Sequence, residues 1–329
     1  MKFNPLGRSG LIVSKVCLGG NSWGAKGRRA WAGFDADDSV PFFRRALDLG
    51  INFFDTADAY NMGLSETIMG ETLMGFVPRE EIVISTKVGL KMGDKPNRHG
   101  LGRKHILASI DAQLKRLKTD YVDVYQIHRL DDITPIEEFM ETLDILVRSG
   151  RVRYIGASTM PAFRLAQMLA VADRYGYARP IVMQNLYNLI QREEERDMNV
   201  LCLEAGLGLI PYSPLARGFL AANRVKGGGG ETERAKSDAG AKQELYRDCD
   251  WAIIDALKKV AAARGCKPAQ VALLWLWSKP VMAAPIIGAT KLEQLDDAAA
   301  ASDMVPLNAA EVAALEAPYQ WRPHPGWGL

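Results

Sequence analysis

The stretch Ile82-Val83-Ile84-Ser85-Thr86-Lys87-Val88, followed by Lys104 to Lys118 and then by Val122-Asp123-Val124-Tyr125-Gln126-Ile127-His128, decides the fold. Its two outer runs are short, apolar and rich in β-branched residues, as buried strands are. Between them Ile106, Ile110, Leu114 and Leu117 recur at steps of four, four and three, which lines one helix face for packing on a sheet. Strand, helix and strand in this order make a βα unit of a parallel sheet.

The same alternation extends outward in both directions. Further strands are expected at Val16 to Gly19, Asn52 to Thr56, Tyr154 to Ser158, Ile181 to Asn185, Gly208 to Tyr212 and Ala284 to Gly288. Together with the first pair these give the eight strands of a closed barrel, whereas a doubly wound sheet usually has five or six and a Gly-rich turn after the first. That turn is absent. The expected architecture is α/β, a (β/α)8 TIM barrel formed by residues 1–329 as a single domain, with no internal repeat and no interdomain linker. Pro135 and Pro161 mark helix starts, while Gly50, Gly150 and Gly206 mark helix ends. Phe3 to Leu6 and Leu11 to Ser14, flanking Gly7-Arg8-Ser9-Gly10, read as an N-terminal β-hairpin that plugs the barrel floor.

Most strand ends follow one another at the length of one βα unit, but 76 residues separate Tyr212 from Gly288. That interval has room for an insertion, and Ala221 to Gln243, with Gly227 to Gly230, supplies a polar Gly-rich loop. It reads either as a surface loop or as an extended loop covering a bound cofactor.

Composition narrows the class of partner. A hydrophobic fraction of 48% and a charged fraction of 24% are those of an ordinary globular chain. The 41 basic and 39 acidic side chains leave a net charge of +2, too little to attract nucleic acid or an anionic membrane. A small-molecule partner fits better, and oligomerisation is left open. Cys17, Cys202, Cys249 and Cys266 have neither disulfide-framework nor zinc-ligand spacing, which favours a reducing, cytoplasmic setting. Met1 to Gly10 is polar, and the apolar run Val271 to Trp277 falls well short of the ~20 residues that span a bilayer, so a soluble protein is expected.

In a parallel barrel, chemistry sits at the C-terminal ends of strands. Three consecutive strands here end in Asp55, Lys87 and His128. Each has an ordinary reading by itself: an Asx turn, a lysine snorkelling to solvent, a satisfied core histidine. Their joint occurrence is what points to a site. Tyr60 lies five residues beyond Asp55, within reach of the same mouth. A tyrosine needs a neighbouring cation to yield its proton near neutral pH; Lys87 supplies one, Asp55 holds that lysine charged, and His128 orients a carbonyl oxygen or assists proton transfer. The set is a proton donor without a reductant.

These residues fall in segments that resemble the aldo-keto reductase family across nearly the whole chain: Leu6-Gly7-Arg8-Ser9-Gly10-Leu11, Gly19-Gly20, Asp55-Thr56-Ala57-Asp58-Ala59-Tyr60, Ser85-Thr86-Lys87, Asp123-Val124-Tyr125-Gln126-Ile127-His128 and Tyr154-Ile155-Gly156-Ala157-Ser158. The resemblance implies an NADPH-dependent enzyme that reduces aldehydes or ketones to alcohols, without a metal, with a tetrad of Tyr60 as general acid, Lys87 and Asp55 tuning it, and His128 positioning the substrate. It further implies an NADPH/NADP+ site at Gly20, Trp23 and Asp55. Ser158 and Gln184 would lie on the nicotinamide carboxamide and Tyr212 on its ring. Ser213, Pro214, Leu215, Arg217 and Gly218 would meet the pyrophosphate, and Arg234 reads either as a second phosphate contact or as a solvated surface arginine. Gly288, Thr290, Lys291, Gln294 and Asp297 would hold the adenosine 2′-phosphate and adenine. Thr159 departs from the pattern, since the family commonly has asparagine there.

The Asp-Thr-Ala-Asp form and the insertion after Tyr212 are similar to the bacterial, fungal and potassium-channel β-subunit branch. The alternative function is therefore an NADP(H)-binding regulatory or interaction protein with little turnover, against which His128 argues, because channel β-subunits often carry asparagine there. A metal-dependent hydrolase would want clustered strand-end histidines, and His99, His105 and His324 lie on no expected strand. Trp23, Trp31, Tyr187 and the tail from Trp321 to Trp327 either line a substrate pocket or pack on the barrel.

Overall fold

The computed structural model describes residues 1–24, 34–226 and 247–322. A hairpin of β1 (Phe3–Pro5) and β2 (Ile12–Ser14) precedes the eight strands β3 (Cys17–Gly19), β4 (Phe53–Asp55), β5 (Val83–Val88), β6 (Val122–Ile127), β7 (Val152–Ser158), β8 (Pro180–Gln184), β9 (Gly208–Leu209) and β10 (Ile286–Ile287). The eight pair in parallel in the order β10-β3-β4-β5-β6-β7-β8-β9. The remaining seam, from β9 to β10, is bridged by N–H bonds of 2.9 Å from Leu209 to Val281 O, Ala283 to Leu209 O and Ile286 to Pro211 O. The sheet thereby curls round as a (β/α)8 barrel. Each expected strand is present, but β9 and β10 are shorter than expected because Pro211 and Pro285 lack the N–H that a regular ladder needs.

The helices packed round the strands are α1 (Ala36–Asp48), α2 (Leu64–Leu73), α3 (Arg103–Leu117), α4 (Ile136–Arg148), α5 (Ala162–Tyr175), α6 (Met198–Ala205), α7 (Trp251–Arg264), α8 (Pro268–Trp277), α9 (Leu292–Asp303) and α10 (Ala309–Glu316). Ile106, Ile110 and Leu117 of α3 are fully buried. Pro135 and Pro161 each sit one residue before the helix, in extended conformation. Gly50, Gly150 and Gly206 follow helix ends at φ 77°, the left-handed geometry that stops a helix without a Cβ penalty. The long interval after β9 contains both α7 and α8; residues 227–243 of the expected insertion lie outside the described residues. Among the described residues no helix is long and apolar enough to cross a membrane.

Inward-facing residues alternate along each strand and change character with height. The lowest layer is apolar, with Cys17, Phe53, Val83, Val124, Val182, Ile210 and Ile286 in one cluster with Leu6 and Val13 of the hairpin. Leu6 is fully buried, so the hairpin closes the floor as expected. Gly7 makes this approach possible: at φ +63°, a Cβ there would lie 2.5 Å from Gly206 O. Two residues further along their strands, Phe53 gives way to Asp55, Val83 to Ser85, Val124 to Gln126 and Val182 to Gln184, and the barrel interior turns polar toward its upper mouth.

Candidate active site

At that mouth the backbone brings Asp55, Tyr60, Lys87 and His128 together. The ammonium of Lys87 donates to Asp55 Oδ2 at 2.5 Å and to Thr56 O at 2.7 Å, and its Nζ lies 3.4 Å from the Tyr60 hydroxyl. Neither Lys87 nor Asp55 exceeds 2% side-chain exposure. The second carboxylate oxygen, Asp55 Oδ1, accepts from Gln126 Nε2 at 3.2 Å and Gln184 Nε2 at 3.0 Å. The Tyr60 and His128 rings meet edge to face with centroids 5.6 Å apart.

Burial and charge set the protonation states. Burial pulls the Lys87 pKa down, but the Asp55 carboxylate and the Tyr60 oxygen outweigh it and the lysine stays charged, above its ordinary value. His128 is pushed well below its ordinary value by burial, then by Lys87 and Arg129, so its imidazole is neutral. Its Nδ1 is buried without a hydrogen-bond partner. Tyr60 departs from expectation. Burial raises its pKa more than the Lys87 charge lowers it, so the site holds a protonated phenol instead of an easily ionised one.

A buried network stands behind Lys87. Glu66 accepts from Thr86 Oγ1 at 2.5 Å, Gln113 Nε2 at 2.8 Å and Arg116 Nε at 2.7 Å. Gln113 also donates to Lys87 O at 3.0 Å and accepts from the Tyr125 hydroxyl at 2.8 Å. The β5 backbone at Lys87 is thereby tied to α2 and α3. Asp58, 1% exposed in the same region, has its pKa raised to about 8 by burial and by Glu66.

Asp55, Tyr60 and His128 line a cavity of about 900 Å³, large for a small-molecule site, and Lys87 lies fully buried behind them. Of the residues expected along a cofactor, Gly20, Asp55, Ser158, Gln184, Tyr212, Ser213, Pro214, Leu215, Arg217, Gly218, Gly288, Thr290, Lys291, Gln294 and Asp297 line it. Ser213, Ala216, Arg217 and Gly218 all have positive φ, the geometry in which successive peptides turn their N–H groups to one side. At the start of α9, Gln294 Oε1 accepts from the N–H of Thr290 at 2.8 Å and of Lys291 at 3.3 Å, so the helix caps itself. Asp297 receives both its bonds, 2.7 Å each, from Lys267.

Other expectations fail or fall elsewhere. Trp23 does not line the cavity: it is 1% exposed and packs on Phe43 at 4.2 Å between centroids. Tyr187 is likewise buried, against Trp275, with its hydroxyl on Glu195. Their aromatic surface serves the core, which is where large apolar groups are most stabilising. Trp321 is half exposed, edge-on to Tyr319. Arg234, Trp31, His324 and Trp327 lie outside the described residues. Thr159 adopts φ 43°, bonds its hydroxyl to Ser158 Oγ at 3.1 Å and donates its N–H to Gln184 O at 2.9 Å. The lining residues Asn21, Ser22, Phe34, Arg129, Lys267 and Gln270 were not legible in the sequence. A charged residue directly after the strand-end His128 was the one available signal.

The model of the aldo/keto reductase family matches residues 15–320. The chain is 41% identical to a versiconal hemiacetal acetate reductase of Aspergillus parasiticus, over 99% of each chain. It is 38% identical to a putative aryl-alcohol dehydrogenase of Schizosaccharomyces pombe, over 96% of this chain and 95% of the relative. It is 36% identical to an aldo-keto reductase of Alternaria alternata, over 98% and 93%. A strand-end acid, lysine and histidine, a loop tyrosine and a matching family model over most of the length have one common explanation: the chain belongs to the aldo/keto reductase family.

Proposed function

We propose that this protein reduces an aldehyde or ketone to the alcohol with NADPH as the reductant and Tyr60 as the proton donor. The observation that carries the reading is the Lys87 ammonium held between Asp55 Oδ2 and the Tyr60 hydroxyl, beside a neutral His128, with Asp55, Tyr60 and His128 lining one cavity.

The cavity suits a dinucleotide better than a small carbonyl alone. Ser158 and Gln184 would hold the carboxamide, Gln184 through Oε1 because its Nε2 is committed to Asp55. Tyr212 would cover the nicotinamide ring, the left-handed turn at 213–218 with Arg217 would take the pyrophosphate, and Thr290, Lys291 and Gln294 the 2′-phosphate end. A bound dihydronicotinamide supplies the hydride.

The residues of the chain govern the proton. Neutral His128 donates one ring N–H to the carbonyl oxygen and orients it. As negative charge grows on that oxygen, the Tyr60 O–H bond breaks and its proton passes to the stronger base. The Lys87 ammonium, 3.4 Å away, stabilises the phenolate left behind. Asp55 keeps Lys87 charged throughout. The upward-shifted Tyr60 keeps the acid loaded at neutral pH.

The name of the Schizosaccharomyces pombe relative, an aryl-alcohol dehydrogenase, directs the first assays to aryl aldehydes. NADPH consumption is expected with such substrates. Tyr60→Phe should lower turnover by about 10²- to 10⁴-fold while NADPH binding stays close to wild type. Equal turnover in the variant would sink the mechanism; tight NADPH binding with no turnover of a broad carbonyl panel would favour nucleotide sensing.

A further inference from the structure

Arg129 follows His128 on the loop after β6 and lines the same cavity as Tyr60 and His128. It is half-buried. Its guanidinium reaches only the Thr159 carbonyl, at a long 3.4 Å, and pairs with no carboxylate among the described residues. Lys87, behind the same mouth, is neutralised by Asp55. The uncharged side chains of Asn21, Ser22 and Thr159 line the cavity as well. Among the described residues, the cavity wall beside Tyr60 and His128 therefore carries one positive charge without an internal counter-ion. Its nearness to the reacting groups is felt by His128, on which Arg129 acts as a like charge.

A partly desolvated guanidinium gains most from an anion that can accept both arms of its fork. Lysine would present a point charge; arginine presents a plane that fixes the angle of a carboxylate. We propose that Arg129 recognises a carboxylate on the substrate, and that the preferred substrates are aldehyde acids or oxo acids. This inference rests on the carbonyl-reductase reading above. Anchoring one end of the substrate at Arg129 would convert binding into orientation of the carbonyl between Tyr60 and His128. The cofactor phosphates do not compete for this role, because Arg217 and Lys291 line their part of the cavity.

The test uses the full chain with NADPH and two substrate pairs, 4-formylbenzoate with its methyl ester and glyoxylate with methyl glyoxylate. The quantity read is the ratio of kcat/KM for acid over ester in wild type, Arg129→Met and Arg129→Lys. In Arg129→Met that ratio should fall by about thirtyfold for at least one pair, as for a lost bond to a charged group, with Arg129→Lys in between. A ratio that moves by less than roughly threefold for both pairs overturns the proposal. Binding is read separately, by the rise in melting temperature on adding 4-formylbenzoate. A rise in wild type that is lost in Arg129→Met supports carboxylate recognition even if no carbonyl is turned over, which would count against the reductase reading alone. Absence of the rise in wild type overturns the proposal.

Discussion

The Lys87 ammonium lies 2.5 Å from Asp55 Oδ2 with both side chains almost fully buried, and the further contacts of the two partners differ in kind. Asp55 has two other donors, the amides of Gln126 and Gln184, and Lys87 has the Thr56 carbonyl and the long contact to Tyr60. An ion pair of this kind orients the acid at the mouth of the site more than it stabilises the barrel.

The asymmetry predicts unequal costs on breaking the pair. Asp55→Asn should destabilise the fold by about 3–5 kcal/mol, because it strands a buried ammonium. Lys87→Met should cost clearly less, since the remaining carboxylate keeps two amide donors. Urea unfolding of both variants measures this, and a larger loss in Lys87→Met would show that the two glutamines do not carry the charge.

Asp58 gives the protein a pH dependence of stability. Its pKa in the fold is about 8, against an ordinary 3.8. The folded state keeps a proton that the unfolded chain loses above pH 4, so the contribution of Asp58 to stability is greatest below about pH 4 and falls as pH rises to about 8. Asp58→Asn removes the titration. It should be more stable than wild type at pH 8 by at least about 1 kcal/mol, with the difference shrinking toward pH 5. Parallel denaturation curves at the two pH values check this, and an equal offset at both would mean that Asp58 is ionised in the fold.

Thr159 holds a left-handed conformation, φ 43°, that costs a β-branched residue roughly 1–2 kcal/mol and an asparagine less. Thr159→Asn should therefore raise stability by about 1 kcal/mol, since the backbone bond to Gln184 O is retained. A lower melting temperature in the variant would show that the hydroxyl bond to Ser158 outweighs the strain.

The barrel was largely legible in the chain because its signals are local. Each βα unit carries its own period: alternation along β5 and β6, steps of three and four along α3, and a glycine such as Gly150 where a helix must stop. Strand alternation also indicated that Asp55, Lys87 and His128 close successive strands, and the family patterns round them pointed to Tyr60 as the fourth member of the proposed site. Tertiary structure decided what depends on groups distant along the chain. The barrel's closure sends Trp23 and Tyr187 into the core, brings Gln126 and Gln184 to one oxygen of Asp55, and places Arg129 on the cavity wall without a counter-ion among the described residues. The direction of the Tyr60 shift belongs to the same class, because burial and the Lys87 charge oppose each other and only the assembled site sets the balance.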